Sequence, residues 1–216
     1  MNLTASIYLR KIQRNLQDFG WKFTLKRTFA RLAKPFREHA QYRIYCIDLR
    51  RSSTPPSSPP KLFEFVVVRD DDRQLIDQIE HQAEWLRGDV ADLIHRGALC
   101  VAAVQQGELA GFNLIVMGTV RIPLVHMQRT FRPMHAWSEF IGVENRFRKR
   151  GLAEQLRYRV FEELRGRNIT RLYGGAEATN SASLRLAEKV GFCQLADVTY
   201  RRTLCWSSRK IDRLRT

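Results

Sequence analysis

One stretch constrains this chain more than any other: Phe140-Ile141-Gly142-Val143-Glu144-Asn145-Arg146-Phe147-Arg148-Lys149-Arg150-Gly151-Leu152-Ala153. Phe140 to Val143 is an apolar strand. It runs into a basic loop, and Gly151 then opens an amphipathic helix through Leu164. The first backbone N–H groups of a helix have no partner inside the helix. With the helix dipole they make an anion site. Gly151 lets backbone come close to a bound group, and Arg148, Lys149 and Arg150 add positive charge at the same point. A pyrophosphate fits this arrangement. Taken alone, the stretch is equally readable as a solvated run of charge.

A second stretch lies downstream: Asn180-Ser181-Ala182-Ser183-Leu184-Arg185-Leu186-Ala187-Glu188-Lys189-Val190-Gly191-Phe192. Asn180 or Ser181 caps a helix and Gly191 ends it. Around these two stretches the pattern alternates between strands and helices. Strands are expected at Phe63–Val68, Ala98–Val104, Leu109–Val116, His135–Val143 and Ile169–Ala176, and then at Phe192–Leu195 and Val198–Trp206. Helices are expected after Asp70-Asp71-Asp72, at Val90–Ile94, at Gly151–Leu164 and at Ser181–Val190. Ala98–Val104 and Leu109–Val116 flank Gln105-Gln106-Gly107-Glu108 and read as a hairpin. Residues 119 to 134 read as irregular strand and loop, because Pro123 and Pro133 break the pattern. This order predicts an α/β fold with a mixed central sheet flanked by helices.

Together, Arg-x-x-Gly-x-Ala after a strand and Asn-x-x-Ser-x-x-x-x-x-x-x-Gly-Phe beyond it resemble the GNAT superfamily of acyl-CoA-dependent N-acyltransferases. The resemblance is specific over about residues 136 to 195 and extends back to Lys61. It implies the GNAT fold and acetyl-CoA, or another acyl-CoA, as co-substrate. The backbone of Phe140, Ile141, Gly142 and Val143 would bind the pantetheine arm of the donor. The turn Arg148, Lys149, Arg150, Gly151, Leu152 and Ala153 would hold the pyrophosphate. Asn180 and Ser183 would touch the cofactor near its thiol end. The product is an acyl amide of an unidentified primary amine, formed by a transferase of the N-acetyltransferase kind.

The reaction needs a neutral amine, so a base must take a proton directly or through water. Members of the family often carry a glutamate on the strand before the turn, and here that residue is Glu139. By simple alternation it shares side-chain parity with Ile141 and Val143. A base poised near neutral pH needs its pKa raised by partial burial. The leaving thiolate often takes its proton from a tyrosine in the last helix of such enzymes. Ala187 stands at that position here, and Tyr173, Tyr200 or water are the substitutes. His126 and His135 are placed near the mouth of the site, where each reads first as a packed or exposed residue and second as a substrate contact.

The rest of the chain is read from composition and spacing. A net charge of +15 predicts attraction to an anionic partner. Candidates are coenzyme phosphates, an acidic carrier protein, a phospholipid surface or nucleic acid. Nucleic acid is not expected, because no reader motif is present and aromatic residues do not interleave with the basic ones. The four cysteines, Cys46, Cys100, Cys193 and Cys205, show no C-x-x-C spacing and no histidine at zinc-finger distance. No metal is expected, and the thiols suit a reducing compartment, the cytoplasm. Three of the four lie in apolar strand-like runs, where cysteine acts as a small buried hydrophobe.

Ser52-Ser53-Thr54-Pro55-Pro56-Ser57-Ser58-Pro59-Pro60 is a semi-stiff linker. It divides residues 1–51, a basic amphipathic helical extension, from residues 61–216, the N-acyltransferase domain; the linker itself is 52–60. In the extension Leu9, Ile12, Leu16 and Phe19 form one helical stripe. Trp21, Leu25, Phe29, Leu32 and Phe36 form a second, ended or kinked by Pro35. Such a helix either lies at a membrane surface, packs on the main domain or pairs with a second subunit. A targeting role is a further possibility. Tyr42–Leu49 closes the extension as a strand. A peripheral position at the inner face of the membrane would extend the cytoplasmic assignment. Two other readings stay open: a coenzyme A-binding module without catalysis, and an acyltransferase that takes longer chains from acyl carrier protein at a membrane surface.

Overall fold

The computed structural model describes residues 37–52, 62–83, 86, 88–203 and 206–214. The two amphipathic stripes before residue 37, most of the linker and Cys205 lie outside the described residues. The membrane, dimerisation and targeting readings rest on that region and are not addressed by the fold.

Two units are distinguished. The larger comprises Gln41–Val198 and Ile211–Thr216. Its strands are β1 (Arg37–Asp48, which enters the unit at Gln41), β2 (Glu64–Val68), β3 (Leu99–Gln105), β4 (Glu108–Met117), β7 (His135–Val143), β8 (Arg171–Glu177) and the first half of β9 (Cys193–Thr203). They form one sheet in the order β9-β1-β8-β7-β4-β3-β2. β1 with β8, β2 with β3, β3 with β4 and β4 with β7 pair antiparallel, whereas β7 and β8 run parallel, so the sheet is mixed. A separate hairpin joins β5 (Thr119–Ile122) to β6 (Met127–Thr130). The smaller unit comprises Met1–Ala40 and Thr199–Lys210. Its described part includes most of β10 (Trp206–Arg213), every residue of which is exposed.

The central strands are buried on both faces, and their side chains divide by the two-residue period of the pleat. Leu99, Val101 and Ala103 of β3 pack toward α3 (Leu152–Gly166) and α4 (Ser181–Lys189). Cys100 and Ala102 pack on the other face, against α1 (Arg73–Gln82) and α2 (Val90–His95). In α3 the stripe Leu152, Leu156, Val160 and Leu164 recurs at steps of four and is buried throughout. The result is a sheet between two helical layers.

The structure departs from the sequence expectations in two segments. The segment 119–134 is more regular than its prolines suggest. Pro123 ends β5 as expected and starts a 3-10 turn, Pro123–Val125, which His126 closes in the left-handed region at φ 48°. Pro133 falls after β6. The C-terminal strands are also redistributed. Phe192–Leu195 and Val198–Trp206 are not two strands; β9 runs unbroken from Cys193 to Thr203, and β10 follows. Asp197, which lies between the two expected strands, stays in β9, paired with Arg43 and accepting from Gln194 Nε2. β10 has no apolar alternation because no face of it is buried.

The triple aspartate precedes α1 and does not enter it. Asp72 Oδ2 accepts from Arg69 N at 2.8 Å, which closes the turn before the helix.

β1 was grouped by sequence with the extension. In the structure it pairs with β8 from Tyr42↔Glu177 to Asp48↔Arg171. Arg165 of α3 ties the end of that strand down, donating to the Leu49 and Ser52 carbonyls.

Candidate active site

β7 and β8 set the geometry of the site. They pair only from His135↔Arg171 to Trp137↔Tyr173. Beyond those three pairs β7 stays on β4 as far as Val143, and β8 stays on β1 as far as Glu177. The two strands therefore diverge after Trp137, and β8 does not follow β7 from Ser138 to Val143. A cavity of about 270 Å³ lies in this opening. Ser138, Glu139, Phe140 and Ile141 line it from β7, Gly174 to Glu177 from β8, and Asn180, Ser183 and Ala187 from α4 and its cap.

The pairing of β7 with β4 contains a bulge at the same place. Leu114 faces Phe140 and Ile115 faces Ser138, so Glu139 is the extra residue. The bulge overturns the parity expected for Glu139. Ile141 and Val143 pack in the core toward α3, and Ser138, three residues before Ile141, also meets α3 through Arg157. Glu139 stands instead beside Trp137, whose indole N–H favours the charged carboxylate, and near the phenol of Tyr42. Burial raises the Glu139 pKa, and the Trp137 indole partly offsets that rise. A partly buried carboxylate with a raised pKa, facing a cavity, has the properties a general base needs.

The turn after β7 lies at one end of the diverging edge. Arg148 Nε donates to the Val143 carbonyl at 3.0 Å, which folds the loop back on the strand end. Lys149 (φ 63°) and Gly151 (φ 76°) are both left-handed. Gly151 is the N-cap of α3. From Lys149 to Ala153 no backbone N–H donates to an acceptor among the described residues; the next donors, Glu154 N and Gln155 N, bond to the Gly151 carbonyl. Five consecutive N–H groups, two left-handed residues and three exposed cationic side chains thus share one turn. Arg146 and Arg150 stack on the Phe147 ring, which is buried. This is the geometry of an anion-binding nest at a helix N-terminus.

Asn180 caps α4, its Oδ1 accepting from Ser183 N at 3.1 Å. Both residues line the cavity, as does Ala187. Tyr173 and Tyr200 do not line it: Tyr173 packs on Phe131 and His135, and Tyr200 is buried. The tyrosines that do line it are Tyr42 and Tyr45 of β1, which sequence reasoning missed. Their period-two spacing from Ile44 and Ile47 was visible. Their pairing partner is about 130 residues away, and no local pattern reports it. Glu177, paired with Tyr42, was missed for the same reason, and Leu124 because it lies in the 3-10 turn of the segment read as irregular. Tyr42 lies flat on Gly175, where a Cβ would come within 2.2 Å of its ring. Burial first, and the Glu139 charge second, push its phenol pKa well above the ordinary value.

His126 and His135 lie outside the cavity lining. His126 ends the 3-10 turn, and His135 stacks at 5.5 Å on Tyr173 with its pKa lowered by burial, Arg171 and Arg132. Cys100 is buried, Cys46 is partly buried and Cys193 is exposed; all three are free thiols. Among the described residues no cluster of His, Cys, Asp or Glu is arranged to hold a metal. No helix among them is long and apolar enough to cross a membrane.

A mixed sheet with diverging parallel strands, a bulge beside the divergence and an anion nest at the next helix defines a recognisable class. The family model described as the acetyltransferase (GNAT) family matches residues 62–192. The chain belongs to that family. Among solved structures, a GCN5-related N-acetyltransferase from Sphaerobacter thermophilus is similar at TM-score 0.55 and 18% identity, over 88% of this chain and 58% of that one. A protein from Novosphingobium aromaticivorans assigned to the same family is similar at TM-score 0.53 and 17% identity, over 82% and 66%. The glucosamine N-acetyltransferase region of a fungal multi-domain β-N-acetylglucosaminidase gives TM-score 0.58 and 13% identity, over 82% and 22%. At these identities the likeness speaks to the fold alone. The chain spans less than two thirds of the length of each of these proteins. No curated protein matches it.

Proposed function

We propose that the protein is an N-acyltransferase that moves an acetyl or other acyl group from coenzyme A to a primary amine. One observation carries the proposal: the diverging β7 edge leads from the cavity that holds Glu139 directly to the N–H nest at Gly151. That path suits a long donor with a reactive thioester at one end and a pyrophosphate at the other. The pyrophosphate binds the turn Arg148 to Ala153. The pantetheine arm runs along the backbone of Phe140 to Val143. Asn180 and Ser183 meet the donor near its sulfur.

Glu139 takes a proton from the acceptor ammonium, directly or through water. The neutral nitrogen then attacks the thioester carbonyl carbon, the C–N bond forms, and the C–S bond breaks with its electron pair on sulfur. Ala187 has no proton to give. Tyr42 holds its proton tightly, since burial and the Glu139 charge both disfavour the phenolate. Water therefore protonates the thiolate. The family membership supports acyl transfer as the reaction class, and the cavity's two carboxylates, Glu139 and Glu177, support a cationic amine as acceptor.

The test is a panel of amino sugars, amino acids, polyamines and peptide amines with acetyl-CoA, followed by release of free thiol. Turnover with at least one class is expected, and Glu139→Gln lowers it by about 10²-fold or more. Thiol release no faster than solvent hydrolysis across the panel and with longer acyl donors overturns the proposal.

A further inference from the structure

Arg157 sits in the second turn of α3, beneath the bulge in β7. Its Nη1 donates to Ser138 Oγ at 2.6 Å and to Asn113 Oδ1 at 3.0 Å. Asn113 is fully buried, and its Nδ2 donates onward to the Phe140 carbonyl at 3.4 Å. The Phe192 ring lies 5.6 Å from the guanidinium carbon. All of these partners are neutral. Nε is buried and has no partner. No carboxylate pairs with Arg157 among the described residues, whereas Arg159, two positions on, is bridged by both Glu162 and Glu163. Burial lowers the Arg157 pKa to about 10, which leaves the side chain charged at neutral pH.

A cation withdrawn from water without a counter-charge is costly, and native proteins pair such groups. Neutral hydrogen bonds from Ser138 and Asn113 satisfy one nitrogen of the guanidinium and none of its charge. The open space that Arg157 borders is the cavity, whose lining it joins beside Ser138. A guanidinium suits a carboxylate in shape and charge.

We propose that Arg157 is a carboxylate-binding residue of this cavity, so that one of the two substrates carries a carboxylate close to the reacting centre. The carboxylate belongs either to the far end of the donor's acyl chain or to the acceptor amine. The inference rests on the acyl-transfer reading above. The carboxylate itself is unchanged by the reaction: the amine nitrogen bonds to the thioester carbon, sulfur leaves with the electron pair, and Glu139 takes the amine proton.

Two pairs of isosteres separate the sources. With ethanolamine as a fixed acceptor, succinyl-CoA is compared with butyryl-CoA. With acetyl-CoA as a fixed donor, glycine is compared with glycinamide. For each pair kcat/KM and the ligand-induced shift in Tm are measured, in the wild type and in Arg157→Met. The carboxylate-bearing member of one pair is expected to be preferred by about tenfold or more. Arg157→Met should bring the ratio between the two members of that pair to about one, whatever the absolute rate. The Tm arm reads the preference without turnover, so a failure of catalysis and a failure of this inference remain distinguishable. The wild-type comparison needs no variant, so an unstable Arg157→Met does not block the test. Three results overturn the inference: no preference in either pair, a preference that survives Arg157→Met, or an equal loss for all four substrates. The last would mean that Arg157 only props the bulge.

Discussion

The indole N–H of Trp137 stands beside the carboxylate of Glu139, the bulged residue two positions along the same strand, and favours its charged form. In an unbroken strand the two side chains would share a face by the same parity that would place Glu139 with Ile141. The bulge keeps the first relation and breaks the second. It turns Glu139 into the cavity and gives it a donor that steadies its charged form.

Trp137→Phe removes that donor and keeps the ring that stacks on Phe131. The charged carboxylate then loses its stabiliser, and the Glu139 pKa rises further. The acid limb of the pH profile of kcat should move to higher pH, with little change in the rate on the plateau. An unmoved limb would show that Glu139 is not the group titrating.

Glu139→Gln has opposite effects on activity and stability. The folded carboxyl has a raised pKa, so the native state binds more protons than the unfolded chain at pH values above the ordinary carboxylate range of about 4. Stability is therefore fully present below that range and is lost as pH rises through the raised value. A glutamine carries no charge to bury. The variant should lose activity and gain Tm relative to wild type at pH 8, with a smaller gain at pH 4.

Gly175→Ala tests the contact between β1 and β8. The added Cβ would meet the Tyr42 ring at 2.2 Å and the Arg43 carbonyl at 2.8 Å. The ring can move, but the backbone oxygen cannot without disturbing the pairing. A loss of about 1–3 kcal/mol is expected in denaturant unfolding. Tyr42→Ala in the same chain should recover only part of it, because the carbonyl remains.

These contacts mark the limit of what the sequence discloses. The β7–turn–α3 unit was legible because each signal is local: an apolar strand, a basic loop, a glycine and a four-residue stripe. The Asn180 cap and the Gly191 stop were legible for the same reason. The pairing of β1 with β8 was not, because it joins residues about 130 positions apart and depends on Gly175 leaving room for Tyr42. The bulge was not, because it arises from pairing with β4 and has no signature within β7. Arg157 reads as one more charge on a helix rich in arginine; only the fold shows that it alone among its neighbours faces inward without an acid.

Donor affinity should depend on ionic strength. The three cationic side chains of the turn are exposed, so their attraction for phosphates is screened by salt. The Kd for acetyl-CoA should rise several-fold between about 50 mM and about 300 mM salt. Lys149→Ala with Arg150→Ala should weaken binding at low salt and flatten that dependence. Arg148 is left in place because it also holds the Val143 carbonyl.

The most direct test of the account is the Tm of the protein with and without acetyl-CoA, in the wild type, in Gly151→Asn and in Gly151→Glu. Gly151 is left-handed at φ 76°, and a Cβ there meets nothing within 4 Å. Asparagine tolerates that conformation, so Gly151→Asn should keep most of the shift. Glutamate brings a strained backbone and a negative charge to the nest. The account predicts that acetyl-CoA raises the Tm of the wild type by several degrees and leaves that of Gly151→Glu unchanged. An equal rise in the wild type and Gly151→Glu, or no rise in the wild type, would contradict it.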